Sequence, residues 1–459
     1  MGKRLHIYHI NDLHSHFDNW TKVVSFIKSE RKRLDEIDED MIVVDIGDHM
    51  DRFHPISEAS LGRANVRLMN QIGYQYVTIG NNEGITLSHE QLNTLYNEAN
   101  FKVIVSNLFR ENGERPTWAS SYELHETSYG STIAFIGATV AFQKFYELLE
   151  WKVTDPLIIL PEIIQEVKEN GAEYVVLLSH LGVNEDERIA NEIEGIDLIL
   201  GGHTHHLFPE GKTINSTLVC AAGKFGYHVG HVTIDYKEKE VTSIVHSMDE
   251  VPECSDTKEY LIIENKVASM ILEEKIGSLS RPLEVHWFKQ SILPEILAGA
   301  LKEWCKAEIG MVNAGVLLDS LRAGDLTVGE LHRICPHPIN PCKVILQGDE
   351  LKEVILQAAT ERMEKLEMKG FGFRGKVLGK MIYDGIEFDT TSLTDGLPHV
   401  RNIRINGQPI EAEREYVIAT LDMFTFGRLF PEIMNAKYKE YYLPEMIRDL
   451  LKWKLRRKQ

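Results

Sequence analysis

The sequence predicts an α/β fold, because short apolar, β-prone runs alternate with segments of helical periodicity through its first half. Several of these runs end directly in short polar motifs. In an open α/β sheet, ligands bind in the crevice at the carboxyl ends of the strands, so those motifs are expected to meet in space. With 459 residues, the chain exceeds one ordinary core, and we expect two domains.

The predicted elements follow a strand-then-helix order. The first strand, residues 5–10, precedes a helix over residues 18–34, whose apolar positions recur with a 3.6-residue period. A second helix is predicted over residues 60–72, and a third begins at Ser88, with Gln91 in its first turn as an N-terminal signal. The remaining predictions are strands at 41–46, 74–79, 131–137, 174–179, 196–200, 217–222 and 231–236, and a helix at 161–171.

Five polar motifs at strand ends predict a metal site. They are Asp12-Leu13-His14, Gly47-Asp48, Gly80-Asn81-Asn82-Glu83, His180, and the GGHTH segment from Gly201 to His205. Carboxylate, amide oxygen and imidazole together suit borderline divalent ions such as Mn, Zn, Fe or Co, whereas structural Zn prefers thiolate. No cysteine lies in these motifs. Because one ion takes three or four protein ligands, we expect two ions roughly 3.5–4 Å apart, bridged by one carboxylate.

In their order and spacing, the five motifs resemble those of the calcineurin-like metallophosphoesterases, specifically the 5'-nucleotidase/UDP-sugar hydrolase family. The resemblance implies a four-layer α/β/β/α domain followed by a smaller α+β C-terminal domain. It also implies two divalent ions, with Asp48 as their bridge. The ligands that it implies are Asp12, His14 and His205 for the first ion, and Asn81, His180 and His203 for the second.

One departure from the family pattern affects the predicted mechanism. The third motif of the family normally reads GNHE with an Asp two places on, and Asn82 and Ile85 occupy those positions here. Asparagine can donate a hydrogen bond to a phosphoryl oxygen but cannot transfer a proton. We therefore expect a hydroxide bridging the Asp48-linked ions to attack the phosphate ester, with Asn82 as a hydrogen-bond donor. His49 and His54 are the candidate proton donors.

The domain boundaries are predicted as 1–250 for the catalytic domain, 251–279 for a connector helix, and 280–459 for the second domain. The second domain resembles the 5'-nucleotidase C-terminal domain, which holds the nucleoside end of the substrate. Several family positions are changed: Leu318 replaces an expected Arg, and His337 replaces a base-stacking Phe. The substrate-binding residues that the resemblance implies are Asn313, Arg322, His337, Met423 and Phe424.

The predicted function is hydrolysis of a phosphate ester, with a 5'-nucleotide as the first candidate substrate. UDP-sugars or dinucleotides, cyclic nucleotides and sugar phosphates are alternatives, because specificity depends on the changed contacts. A base held between His337 and Phe424 would favour a nucleotide, whereas a pocket with Arg322 and Lys289 would favour a sugar phosphate or diphosphate. A nucleotide sensor without catalysis is a third hypothesis, motivated by Asn82 and Ile85.

Composition limits the partners and the compartment. The net charge of -19 and the pI of about 5.5 argue against nucleic-acid and anionic-membrane binding, which require a basic face. No segment has the length of a membrane span or the form of a signal peptide, and nothing indicates an obligate protein partner. Five scattered cysteines suit a reducing compartment. We therefore expect a cytoplasmic protein whose partner is a small phosphorylated molecule.

Overall fold

The computed structural model describes residues 4–392 and 398–457. The chain forms two compact units, Met1–Ala268 and Ser269–Gln459. The division lies inside the segment 251–279 that the sequence predicts as a connector, within a helix over Ser255–Leu272.

The strands of the first unit run through its whole length. They are β1 (Arg4–Ile10), β2 (Asp40–Asp45), β3 (Tyr76–Val77), β4 (Lys102–Ile104), β5 (Leu108–Arg110), β6 (Ala119–Ser120), β7 (Tyr122–Glu126), β8 (Thr132–Thr139), β9 (Trp151–Val153), β10 (Tyr174–His180), β11 (Leu198–Gly201), β12 (Lys212–Ile214), β13 (Thr217–Ala221), β14 (His228–Asp235) and β15 (Glu240–Ser247). The helices are α1 (Phe17–Glu36), α2 (Pro55–Ser60), α3 (Arg63–Met69), α4 (Asn81–Ile85), α5 (His89–Leu95), α6 (Gln143–Leu148), α7 (Pro156–Glu169), α8 (Val183–Glu192) and α9 (Ser255–Leu272).

Two sheets face each other in this unit. The first has the order β15-β14-β1-β2-β3-β4-β6 and the second the order β12-β13-β11-β10-β8-β7. The strands β1, β2, β3 and β4 are parallel to one another, as are β8, β10, β11 and β13. Each sheet therefore gathers the carboxyl ends of its parallel strands along one edge.

Alternating apolar side chains fill the space between the sheets. Leu5 and Val44 of the first sheet belong to the same buried cluster as Phe135, Val176 and Leu200 of the second. On the far side of the second sheet, a separate cluster joins the other faces of β8 and β10 to α7 and α8. Helix α1 lies against β2 and completes the outer layer of the first sheet. This is the α/β/β/α arrangement that the motifs implied.

The predicted elements correspond to observed ones, with two differences. The helix predicted over 60–72 is interrupted, because Leu61 and Gly62 adopt left-handed conformations with φ of 50° and 82°. A Cβ atom at Gly62 would lie 2.6 Å from the sulfur of Met50, so a close approach requires glycine there. Of the strand predicted over 74–79, only Tyr76 and Val77 pair with their neighbours.

The second unit is an α+β arrangement. Its elements are β16 (Lys275–Leu279), β17 (Ile309–Asn313), β18 (Gly324–Thr327), β19 (Pro341–Gln347), β20 (Met381–Asp384), β21 (Ile386–Ser392), β22 (Pro398–Ile405), β23 (Gln408–Pro409), β24 (Glu415–Leu421), β25 (Tyr438–Tyr441), α10 (Ile292–Trp304), α11 (Val328–Ile334), α12 (Gly348–Ala358), α13 (Glu361–Glu364), α14 (Pro431–Asn435) and α15 (Ile447–Arg457). The main sheet has the order β20-β17-β24-β19-β25, and the smaller sheets are β16-β18 and β21-β22-β23.

Across the described residues, none of the helices combines the length and apolar character that crossing a membrane requires.

A buried histidine on β1 makes the stability of the first unit sensitive to acid. His9 is fully buried, and neither of its ring nitrogens has a hydrogen-bond partner among the described residues. Burial lowers the pKa of His9 to about 4, whereas the unfolded chain has a histidine pKa of about 6.5. The unfolded chain therefore binds more protons below pH 6.5, and stability is lost as the pH falls from 6.5 toward 4.

The free energy of unfolding of the wild type should fall when the pH is lowered from 7.5 to 5. In the His9→Leu variant we expect that fall to be smaller by about 2 kcal/mol. Urea and thermal unfolding at the two pH values measure the difference. His286→Leu, which replaces an exposed histidine, is the matched control for the exchange of histidine for leucine. An equal acid loss in His9→Leu and the wild type would contradict this account.

Candidate metal centre

Side chains from the predicted motifs converge at the carboxyl edges of the two sheets. Asp12 and His14 follow β1, Asp48 follows β2, and His180 ends β10. Asn81 begins α4, and His203 and His205 follow β11. Although Asp12 and His203 are 191 positions apart, the backbone N–H of His203 donates to Asp12 Oδ2 at 2.9 Å.

The loops that carry these residues hold several of them at positive φ, a backbone region that residues other than glycine rarely adopt. Asp12, His14, Asp48, His203 and His205 have φ between 48° and 69°. Such strained residues cluster at functional sites, where surrounding contacts hold them. Here the loops support one another, because the Asp12 N–H donates to the Gly47 carbonyl at 3.0 Å and the His14 N–H donates to the Asp48 carbonyl at 2.9 Å.

The first group of ligand atoms belongs to Asp12, His14 and His205. The Nε2 atoms of the two histidines lie 3.1 Å apart. Asp12 Oδ1 lies 3.6 Å from His14 Nε2 and 3.3 Å from His205 Nε2. These three atoms are close enough to share one ion.

The second group belongs to Asp12, Asp48 and His180. Asp48 Oδ2 lies 3.5 Å from His180 Nε2 and 3.7 Å from His14 Nε2, so it is close to a histidine of each group. The His203 ring lies beside that of His180, with 5.3 Å between their centroids. This placement suits the bridging role that was predicted for Asp48.

Buried polar atoms at this place indicate that the residues fit divalent ions. Asp12 Oδ1, Asn81 Oδ1 and His180 Nε2 are buried and have no hydrogen-bond partner among the residues that the structure describes. Leaving such atoms unsatisfied is costly, and coordination to a cation would satisfy all three. Oxygen and imidazole nitrogen are the ligands that borderline divalent ions prefer.

The electrostatics of the site favour positive charge. Burial alone would lower the pKa of His14, but contacts with Asp12, Asp51 and Asp48 outweigh it and raise that pKa to about 10. Burial of His180 is likewise outweighed, chiefly by Asp48, and its pKa rises to about 9. The carboxylates therefore stabilise a proton or a cation beside these imidazoles.

A second layer of contacts fixes the loop of Asp48. Glu83 Oε2 accepts from the N–H groups of Asp48 at 2.9 Å and Gly80 at 2.8 Å, and Oε1 accepts from Met50 at 3.0 Å. Gly80 must lack a side chain, because a Cβ atom there would lie 2.1 Å from Asp48 Oδ1. The GD and GNNE motifs are thus one interlocked structure.

Asn82, another predicted catalytic residue, contacts both Asp48 and His14. The Asn82 N–H donates to Asp48 Oδ1 at 2.7 Å, and its side-chain Nδ2 lies 3.0 Å from His14 Nδ1. The amide that we expect to contact a phosphoryl oxygen thus lies beside His14, one of the predicted ligands. Asn82 supports two members of the site through these contacts.

His49, one of the two candidate proton donors, is buried, and its catalytic role stays a prediction. Its ring is buried against Trp20, and Nδ1 lies 3.3 Å from Asn65 Nδ2. Burial lowers the pKa of His49 to about 3, so the ring is neutral near pH 7. The alternative donor, His54, is the N-cap of α2, where Nδ1 accepts from the Ile56 N–H at 3.2 Å.

The predicted base-stacking residues of the second unit are core residues. His337 is fully buried: Nε2 donates to the Val316 carbonyl at 2.8 Å, and Nδ1 accepts from the Arg374 N–H at 2.9 Å. Met423 and Phe424 are 1% and 0% exposed. His337 and Phe424 therefore expose no face to a base in this structure, and the base contact that would favour a nucleotide stays a hypothesis.

The two remaining predicted substrate residues differ in exposure. Asn313 is fully buried, with Nδ2 donating to the Leu378 carbonyl at 2.7 Å, and its Oδ1 has no partner among the described residues. Arg322 is exposed and lines a surface cleft with Arg333. Lys289 is also exposed but does not line that cleft.

Comparisons with known proteins agree with this geometry. Residues 5–207 match the family described as calcineurin-like phosphoesterase, and residues 274–428 match the 5'-nucleotidase C-terminal domain. The metallophosphoesterase YunD of Bacillus subtilis is 48% identical over 99% of this chain and 100% of its own length.

Solved structures share the fold. The NAD nucleotidase of Haemophilus influenzae superposes with a TM-score of 0.71 at 16% identity, over 99% of this chain and 96% of that one. A 5'-nucleotidase precursor from Thermus thermophilus superposes with a TM-score of 0.61 at 19% identity, with the same coverage. The two family matches and the 48% identical relative show that the chain belongs to the calcineurin-like metallophosphoesterases that carry a 5'-nucleotidase C-terminal domain, and that it is a metal-dependent phosphoester hydrolase.

Proposed function

We propose that the chain is a dimetal phosphohydrolase that releases phosphate from 5'-nucleotides. The observation that carries this proposal is the position of Asp48, whose carboxylate lies within 3.7 Å of His14 and 3.5 Å of His180. One carboxylate between two groups of imidazole and oxygen atoms suits a pair of neighbouring ions.

Each group has its own ligands in this proposal. Asp12, His14 and His205 hold the first ion, and Asn81, His180 and His203 hold the second, with Asp48 shared. When bound, the two ions polarise phosphoryl oxygens and lower the pKa of a coordinated water. The protein positions the ligands through strained loops and through Glu83, and Asn82 orients His14 while holding Asp48.

The nucleotide class is supported by the relatives. The similar solved structures include an NAD nucleotidase and a 5'-nucleotidase precursor, and the second unit matches the 5'-nucleotidase C-terminal domain. All the metal ligands that the family pattern implies are retained, although the third motif is changed at Asn82 and Ile85. The C-terminal half is changed at His337 and Leu318. The reaction class is therefore better supported than the substrate.

A sugar phosphate or nucleotide diphosphate sugar is a second candidate substrate. His337 and Phe424 are buried, so the stacking contacts expected for a base are missing from those positions. Arg322 and Lys289 are exposed cations that can bind phosphate oxygens. These observations favour a substrate that is recognised through charge.

Removal of metal is expected to abolish hydrolysis. Protein treated with EDTA should release no p-nitrophenol from p-nitrophenyl phosphate or its bis ester, and added Mn²⁺ should restore the release. Mn²⁺ should also raise the melting temperature, because it binds the folded site preferentially. Full turnover in EDTA would contradict a metal-dependent mechanism, and tight nucleotide binding without metal-dependent turnover would indicate a sensor.

The Asp48→Asn variant is expected to lose at least about 100-fold in kcat, because the loss of the shared charge weakens both groups of ligands. Phosphate release with saturating Mn²⁺ measures the change. Asp18→Asn makes the same chemical change at an exposed position of α1 and should leave kcat unaffected. Activity of Asp48→Asn equal to that of the control would exclude Asp48 as the bridge.

A panel of phosphate compounds is expected to distinguish the two substrate classes. We expect about tenfold higher kcat/KM for a 5'-nucleotide than for a sugar phosphate. Arg322→Ala should lower kcat/KM for sugar phosphates more than for nucleotides if the charged contact selects the substrate. Sugar phosphates far ahead of every nucleotide would overturn the proposed substrate while leaving the dimetal reaction intact.

A further inference from the structure

Asp51 lies behind the metal centre and was not part of any predicted motif role. It is 2% exposed and follows Asp48 by three residues. Its Oδ2 lies 3.4 Å from Nδ1 of His14, whose other ring nitrogen, Nε2, faces Asp12 and Asp48. The two nitrogens of His14 therefore face different carboxylates on opposite sides of the ring.

The position of the proton on the imidazole ring explains why a carboxylate matters here. A neutral histidine that coordinates an ion through Nε2 carries its proton on Nδ1. That proton requires an acceptor, and a carboxylate in this place fixes the ring orientation and strengthens the nitrogen as a ligand. Asp51 Oδ2 is in the position to accept it.

Asp51 is itself held in place by buried contacts. Its N–H donates to Ser15 Oγ at 2.8 Å, and its Oδ1 accepts from the Phe53 N–H at 2.9 Å. Ser15 Oγ also lies 2.7 Å from Ser57 Oγ and 3.1 Å from Asn65 Nδ2. This network turns one oxygen of the carboxylate toward its own loop and leaves the other facing His14.

Asn82 is the second neighbour of the same nitrogen. Its amide lies 3.0 Å from His14 Nδ1, and a half-turn of the amide presents either its nitrogen or its oxygen. The amide can therefore accept the Nδ1 proton but adds no charge. The imidazole of His14 thus faces one neutral amide and one carboxylate. Substitutions can move the negative charge from position 51 to position 82, and this makes a test possible.

We propose that Asp51 is a positioning residue, which accepts the Nδ1–H of His14 and thereby sets the affinity of the ion held by Asp12, His14 and His205. The inference rests on the proposed dimetal function. It assigns Asp51 to one of the two ions, so its loss should weaken that ion selectively. The ion held by His180 and His203 should be little affected.

The test measures metal binding instead of activity alone. Calorimetric titration with Mn²⁺ and elemental analysis after dialysis give the affinity and the number of bound ions. We expect Asp51→Asn to weaken one ion about 10-fold and Asp51→Ala to weaken it up to about 100-fold. At saturating Mn²⁺, kcat of Asp51→Asn should return to within a few-fold of the wild type.

Moving the charge provides a sharper test. Asn82→Asp should raise the affinity of the weakened ion more in the Asp51→Asn background than in the wild type, because it supplies the missing carboxylate to the same nitrogen. Asp18→Asn is the control for an exposed carboxylate. Melting curves show whether each variant folds, and Asp51→Asn, which preserves shape, carries the test if Asp51→Ala does not.

The outcomes separate this inference from the proposed function. Two ions bound with wild-type affinity in both Asp51 variants, or equal weakening of both ions, would overturn the positioning role alone. A wild-type protein that binds no ion would instead overturn the dimetal function. Weakening of one ion, with rescue by Asn82→Asp, is the expected result.

Discussion

The burial of two carboxylates at neighbouring strand ends is the constraint on which the rest of the site depends. Asp12 and Asp48 are almost completely removed from water. A buried charge is costly unless it is paired and hydrogen-bonded, so the fold must supply positive charge or give up the ionised form. The imidazoles of His14, His180 and His205 surround these oxygens, and the pair of ions that the family uses satisfies the same need.

The need to hold these carboxylates in place explains several neighbouring residues that are not predicted to take part in the reaction. Glu83, which is not among the predicted ligands, accepts from the backbone N–H groups of Asp48 and Gly80. Burial and the nearby Asp48 charge raise the pKa of Glu83 to about 7. Gly47 has φ of 90°, and a Cβ atom there would lie 2.3 Å from the Gly80 nitrogen. The strained loops persist because these contacts hold them. Ligand geometry is thus a property of the whole loop cluster.

The sequence predicted the strands and the convergence of the polar motifs because both leave local signals. Apolar runs identify the strands, and polar residues directly after them identify the crevice, so Asp12, Asp48, His180 and His203 could be placed together. The surroundings of His49 could not be predicted, because Trp20, which covers its ring, belongs to α1. The role inferred for Asp51 likewise depends on contacts with Ser15 and His14 that no spacing in the chain reveals.

The family pattern identifies the reaction better than the substrate, because the metal centre and the second unit are under different physical constraints. Replacing one of the predicted metal ligands would leave a buried charge without compensation, which is costly. The corresponding positions of the second unit face no such penalty: His337 makes two backbone hydrogen bonds and stacks on Phe373 at 5.3 Å, which are ordinary core contacts. We therefore propose that exposed groups of the second unit, such as Arg322, select the substrate, because the chemistry of the metal centre does not constrain them.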